Sequence, residues 1–389
     1  MIFFSLVEPS KPDLGIYYND LIRNISSQNQ SSSLSFLAKD WKDVEAWRKE
    51  ARDKVFELMD FSPKKVPLNS TIDSRRSEGG YAFEEISYDM PYGPRTRGYF
   101  LYPEGGGKKL PAVVGLHDHG GFFYYGKEKI VDSPVKSKVL DEHKTDGYGG
   151  RSWASELAKR GYAVLVIDNF LWGSRRIPIE SVNEMMVGNF EGQTPGSDDY
   201  VRNFNFLWDN VESSITVATI LNAGASWPGI FSYEDMRSVD YLVTRREIVD
   251  PDRIGCGGLS GGGLRTVFLA GLDPRIKAAV CVGFMCTLGG MLRNHIRGNS
   301  LIMYVPRLLR YLDLPDIIAL RAPSPLFVQY DRDDGLFSLE GMMEADEKIS
   351  KVYEKMNRPA NYIGKFYPGK HKFDVEMQED AFAWLKKVL

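Results

Sequence analysis

The stretch Asp252-Arg-Ile-Gly-Cys-Gly-Gly-Leu-Ser-Gly-Gly-Gly-Leu-Arg-Thr-Val-Phe-Leu-Ala270 decides the fold. It reads as an apolar strand that turns sharply into an apolar helix, with Gly258-Leu-Ser-Gly-Gly262 at the turn. A Gly-x-Ser-x-Gly run in that setting is the signature of a nucleophile elbow, in which a strained backbone lifts the serine hydroxyl clear of the sheet. Small residues at 258 and 262 keep the strand and the helix from colliding there. A chain with 37 glycines yields on the order of a few tenths of such a match by chance, so the flanking strand and helix give the run its weight.

Working outward, the chain of 389 residues is long for one domain, and it is expected to hold a catalytic domain over residues 81–389 behind an extension over 1–80. Hydrophobic residues at 43%, charged residues at 26% and a net charge of -3 are ordinary globular values. They give no reason to expect nucleic acid or an anionic membrane as partner. The expected partner is a small molecule, with a homo-oligomer left open. Three cysteines, Cys256, Cys281 and Cys286, fall in or beside apolar runs and read as free thiols. The first residues lack a basic leader and are too short to span a bilayer, which makes a cytoplasmic protein the expectation.

Residues 20–35 are polar and serine-rich and read as a loop or linker. From Asp40 to Met59 apolar residues recur at close to helical spacing, which predicts a packing helix. Strands begin at Glu84 and then alternate with helices. Helices are expected over 152–160, about 203–221, 263–271, 339–356 and 374–388. Strands are expected over 162–168, 253–259, 277–285, 325–330 and 361–367. Such alternation predicts an α/β fold with a mostly parallel sheet, helices on both faces and an antiparallel opening pair. Residues 122–150 and 286–320 interrupt it and read as insertions, the second of them a lid over the site.

A serine hydroxyl needs a base and a carboxylate to act at neutral pH. The candidate base is His371, between the last strand and the last helix, where a loop can return to the elbow. The acid is expected in Asp331-Arg-Asp-Asp334, with Asp334 ranked first and Asp333 second. Main-chain N–H groups of Gly120, Gly121 and Gly261 are the candidates for an oxyanion hole, each such donor being worth about 3 kcal/mol in a transition state. His117, His119 and His143 offer an alternative as metal ligands, but a supporting acid at metal-site spacing is missing, so no metal and no cofactor is expected. Phe122 and Trp172 are candidates for lining a substrate cleft. Asp168 and Arg175 stand either at its rim or in structural ion pairs.

These residues resemble the α/β-hydrolase superfamily, within it the acetyl xylan esterase-like and dienelactone hydrolase-like branch. The likeness rests on His117-Asp-His-Gly-Gly, Asp168 with Trp172-Gly-Ser-Arg, Gly258-Leu-Ser-Gly-Gly-Gly-Leu-Arg-Thr, Ala322-Pro-Ser-Pro-Leu-Phe-Val and Tyr367-Pro-Gly-Lys-His. It runs from about residue 36 to the end. It implies an α/β-hydrolase fold with an N-terminal helical extension, and a serine carboxylic-ester hydrolase with Ser260 as nucleophile, His371 as base and Asp334 as acid. The substrate class implied is a small acyl ester, acetylated carbohydrate among them. Asp331 stands where that family usually has glycine, and Asp118 replaces a common small residue. The rival readings are a serine peptidase, an acyltransferase and a catalytically silent binding protein on the same scaffold. The absence of a propeller domain in the first 80 residues argues against the first, and the intact Ser, Asp and His set speaks against the last.

Overall fold

The computed structural model describes residues 11–29, 32–105, 109–183 and 190–389. Nine strands form one sheet: β1 (Thr71–Glu78), β2 (Tyr81–Tyr88), β3 (Thr96–Pro103), β4 (Leu110–Gly115), β5 (Ala163–Ile167), β6 (Val249–Leu259), β7 (Ile276–Val282), β8 (Leu326–Asp331) and β9 (Tyr362–Tyr367). Their order is β1-β2-β3-β5-β4-β6-β7-β8-β9. The first three strands pair antiparallel, β3 also lies antiparallel to β5, and every later pairing is parallel. The chain therefore leaves β4 for β5 on one side and returns as β6 on the other. Where strand order reverses in this way, the loops at the carboxyl ends part and leave a crevice.

The central strands β5 and β8 are buried along their whole length, as expected where helices cover both faces. One face carries α2 (Val44–Met59), α7 (Trp227–Thr244), α8 (Gly261–Leu272), α10 (Leu314–Ala319) and α11 (Leu339–Lys355). The other carries α4 (Trp153–Lys159) and α12 (Val375–Val388), whose Leu157, Met377, Phe382 and Leu385 pack on Val164, Val280 and Phe327. Every residue of α8 is buried, so the helix behind the elbow has no solvent side. A side chain at Gly271 would meet the carbonyl of Ile317 at 2.2 Å, so α10 lies against α8 backbone to backbone.

Several expectations are corrected. A helix, Gly15–Asn29, covers much of the segment read as a loop, because Ile16, Leu21 and Ile25 recur at helical spacing among the polar residues. Strand β1 and helix α7 were not expected at all. The helix expected near 203–221 runs from Asp198 to Asn222, with a π-helical turn over Glu212–Val217 between its two α segments. In the segment read as a lid, α10 belongs to the core: Leu314, Ile317 and Ile318 are fully buried.

All three cysteines are buried and unpaired with one another. Burial pushes the Cys256 thiol up to about 12 and raises Cys281 and Cys286 further. No helix among the described residues is long and apolar enough to cross a membrane.

Candidate active site

Ser260 sits between β6 and α8 with φ 58° and ψ -122°, a conformation costly for a residue with a side chain. A Cβ at Gly258 or Gly262 would fall 2.0 or 2.1 Å from the carbonyl oxygen of Leu116. The end of β4 thus presses on the elbow, and only glycine fits at both flanks. Ser260 N–H donates to the carbonyl of Val282 at 2.9 Å, fixing the elbow to the end of β7.

The loops after β8 and β9 are laced together. Arg332 N–H donates to Tyr367 and Asp333 N–H to Gly369, while the carboxylate of Asp333 accepts the N–H of Gly369 at 2.8 Å. Within this frame His371 Nδ1 lies 2.6 Å from Asp334 Oδ2. The second oxygen of Asp334 accepts the N–H of Leu336, so its carboxylate is aimed at the ring. Asp333, the second-ranked acid, is committed to the loop backbone instead. A Cβ at Gly283 would lie 3.1 Å from His371 Cε1, which places the imidazole beside Val282, the residue that holds Ser260. Its Nε2 has no hydrogen-bond partner among the described residues. Burial pushes the His371 pKa down, but the charge and hydrogen bond of Asp334 outweigh it, with Asp331 and Asp118 adding to the rise, to about 9.

Facing the elbow across the crevice is the loop after β4. A Cβ on Gly261 would come within 2.7 Å of the backbone nitrogen of His119, so the backbone of His119 lies directly against that of Gly261. As the first residue of α8, Gly261 has no intrahelical acceptor for its N–H. Gly121 cannot serve in the way expected, because its N–H donates to His119 Nδ1 at 2.9 Å. Gly120 and Gly121 both take φ 61°, the left-handed region that favours glycine. The backbone nitrogen that lies against Gly261 is that of His119.

The His119 ring is held in one tautomer. Nδ1 accepts from Gly121, so Nε2 carries the proton and donates to Glu212, whose oxygens lie at 3.0 and 3.1 Å. Glu212 opens the π-helical turn and also accepts from Ser300 Oγ. Such turns widen a helix by one residue and recur at functional sites. From below, the buried Lys129 donates to the carbonyls of Asp118 and His119 at 2.8 and 3.0 Å. Burial pushes the Asp118 carboxyl up, but Lys129, His143 and Tyr148 hold it well below the usual range. Tyr148 donates to it at 2.5 Å. His117 donates from Nδ1 to the carbonyl of Asp118, and burial with the nearby Arg265 and Lys129 charges keeps its ring neutral. Arg265, one turn past the serine, pairs with Asp235 at 2.6 Å and donates to the His117 carbonyl.

Phe122 is buried and stacks on His143 at 4.7 Å between centroids. Trp172 is 1% exposed and packs on His117, His119, Phe123 and Trp227, so it supports the oxyanion loop from beneath and its ring does not reach a cleft. Asp168 accepts from Lys127 and Ser174, and Arg175 pairs with Glu234, as structural ion pairs do. His117 bonds the Asp118 carbonyl, His143 faces the Asp118 carboxylate and His119 bonds Glu212, so the three rings are not gathered on one point. Asp331, Asp334 and His371 are the group among the described residues spaced to hold a metal. Beyond Tyr124 a cavity of about 660 Å³ is lined by Arg97, Arg176, Tyr200 and Phe204 among others. Glu212 and Lys129 carry no sequence signal, since isolated charges read as solvated until the fold buries them.

Residues 208–366 match the model of the Abhydrolase family, a span that holds Ser260 and Asp334 but stops short of His371. The chain is 27% identical over 310 residues to the Bacillus subtilis (strain 168) protein named “Putative hydrolase YtaP”, covering 79% of this chain and 88% of that one. Among solved structures, one from Bacteroides fragilis NCTC 9343, described as a “putative acetyl xylan esterase”, superposes with a TM-score of 0.67 at 22% identity over 91% of this chain and 84% of that one. A glucuronoyl esterase from Solibacter usitatus superposes with a TM-score of 0.57 at 16% identity, over 89% and 94% of the two chains. With its sheet order, its strained serine at the strand-to-helix turn and these matches, the chain has the α/β-hydrolase fold.

Proposed function

We propose that this α/β hydrolase is a serine carboxylic-ester hydrolase that works through an acyl-enzyme on small acyl esters, with acetylated carbohydrate as the substrate class. The observation that carries the reading is the 2.6 Å hydrogen bond from His371 to Asp334, set beside an elbow serine whose following residue, Gly261, lies against the loop after β4. Ser260 Oγ attacks the ester carbonyl and gives its proton to His371 Nε2. Asp334 stabilises the imidazolium that forms, and the N–H groups of Gly261 and His119 take the charge of the tetrahedral oxyanion. The imidazolium returns the proton to the leaving alcohol, and water activated by the same histidine releases the acid.

The carbohydrate part has two supports. One is that the cavity beyond Tyr124, whose lining includes none of Ser260, His371 and Asp334, is bordered by the aromatic side chains of Tyr124, Tyr200 and Phe204, the kind of surface against which sugars pack. The other is that structures of the same fold are described as acetyl xylan and glucuronoyl esterases.

The test is hydrolysis of p-nitrophenyl acetate and of acetylated xylo-oligosaccharides by wild type and Ser260→Ala, with and without chelator. Chelator-resistant activity lost at least about 10³-fold in the variant is expected. Full activity in the variant, or none in the wild type on any ester, would refute the reading.

A further inference from the structure

We propose that Asp331 is a second carboxylate acting on His371, a positioning residue whose charge, added to that of Asp334, sets the pH at which the base is free to act. The inference rests on the reading of His371 as the catalytic base.

The geometry is compact. Asp331, the last residue of β8, is fully buried, and it lies with Asp334 and His371 so that one ligand atom of each falls within 4.8 Å of the others. Its Oδ2 accepts the N–H of Lys372 at 2.9 Å, gripping the residue next to the histidine. Its Oδ1 has no hydrogen-bond partner among the described residues. A buried carboxylate oxygen with no donor is costly, and such groups gather where function uses them.

The charged neighbours on every packed element can be named. Asp334 faces the ring from its own loop, while Asp333 is tied to Gly369. Lys372, beside the histidine, directs its ammonium to Asp374 at 2.5 Å. From the oxyanion loop Asp118 contributes its negative charge to His371, already offset by Lys129 and His143. No cation among these contacts Asp331, and His371 is the nearest group that can carry a compensating charge. Burial pushes the Asp331 carboxyl up, against the pull of the Lys372 N–H and the His371 charge, to about 7, so that its titration is coupled to that of the imidazole.

Two arrangements then carry the same net charge: Asp331 protonated with a neutral imidazole, or Asp331 ionised with an imidazolium. Only the first has a free Nε2 lone pair for the serine proton. Removing the Asp331 charge while keeping its shape frees the base at lower pH.

The experiment follows the imidazole nitrogens of His371 by NMR titration, in wild type and in Asp331→Asn, with His371→Gln used to assign the signal among the five histidines. Asparagine can still accept the Lys372 N–H, so the loop keeps its anchor. A fall in the His371 midpoint of about one pH unit or more is expected, the size of a nearby charge removed. The acid limb of kcat/KM on p-nitrophenyl acetate should move down by the same amount. Asp333→Asn, which removes an equal charge nearby, should shift the midpoint far less. A midpoint unchanged within about 0.3 units in Asp331→Asn, or an equal shift in Asp333→Asn, would overturn the proposal. The titration needs no turnover, so a protein with no esterase activity would refute the proposed function while leaving this measurement readable.

Discussion

Gly261→Ala is a demanding test of the oxyanion geometry. The added methyl would stand 2.7 Å from the backbone nitrogen of His119 and 2.8 Å from its Cβ, about 0.7 Å inside the 3.4 Å at which ordinary contact begins. The elbow cannot yield, since Gly258 and Gly262 are pinned on Leu116 and the helix behind is buried on all sides. The oxyanion loop must therefore move, although Lys129 clamps it from below. A displacement of that size takes the His119 N–H out of hydrogen-bonding geometry with the oxyanion and forfeits one donor, about 3 kcal/mol or 10² to 10³ in kcat. The strain itself costs about 1–3 kcal/mol of stability. Steady-state hydrolysis of p-nitrophenyl acetate, read beside a thermal melt, separates the two effects: kcat should fall at least about a hundredfold in a protein that still melts cooperatively, with KM within about threefold. If kcat stays within about threefold of wild type, the donor opposite Gly261 is not His119.

Other outcomes follow from neighbouring contacts. Lys129→Met leaves the buried Asp118 carboxylate and two loop carbonyls without their cation; it should cost about 3–5 kcal/mol in urea unfolding and lower kcat as well. Arg265→Met, which orphans the buried Asp235, should destabilise by a similar amount, measured the same way. His371 is raised in the folded state above its ordinary 6.5, to about 9. Its pairing therefore stabilises fully below pH 6.5, and the contribution is lost as pH rises through 9. The stability gap between wild type and Asp334→Asn should accordingly narrow by about 1–3 kcal/mol from pH 6 to pH 10. Tyr200→Ala should raise KM for acetylated oligosaccharides several-fold and leave p-nitrophenyl acetate unchanged; equal effects on both would argue against a sugar-binding role for the cavity.

The parts of the fold legible in sequence are those where local pattern and burial agree. The alternation from β5 to α12 and the strand-turn-helix at Ser260 follow from apolar runs broken by glycine, and the structure places these elements within a few residues of expectation. Strand β1 escaped because its residues, Thr71-Ile-Asp-Ser-Arg-Arg-Ser-Glu, are polar on both faces of an exposed edge, so no period-two signal exists. Helix α7 escaped for the opposite reason: it is buried nearly all round, and its Glu234, Asp235 and Arg237 find partners from distant segments. The same long-range pairing hid Glu212 and Lys129. Histidine and aspartate positions could be placed from their loops, but which backbone nitrogen lies against Gly261 depends on a backbone turn that glycine-rich sequence leaves undetermined.

The three enclosed thiols give the protein a chemical blank background. Thiolate, not thiol, reacts with alkylating agents, and Cys256, Cys281 and Cys286 are both shielded from reagent and held protonated far above neutral pH. Ser260→Cys would therefore introduce the single sulfur that reagents can reach, beside His371. A fluorescent maleimide or a spin label could then report on the mouth of the crevice in the native fold, with no need to engineer away the wild-type cysteines.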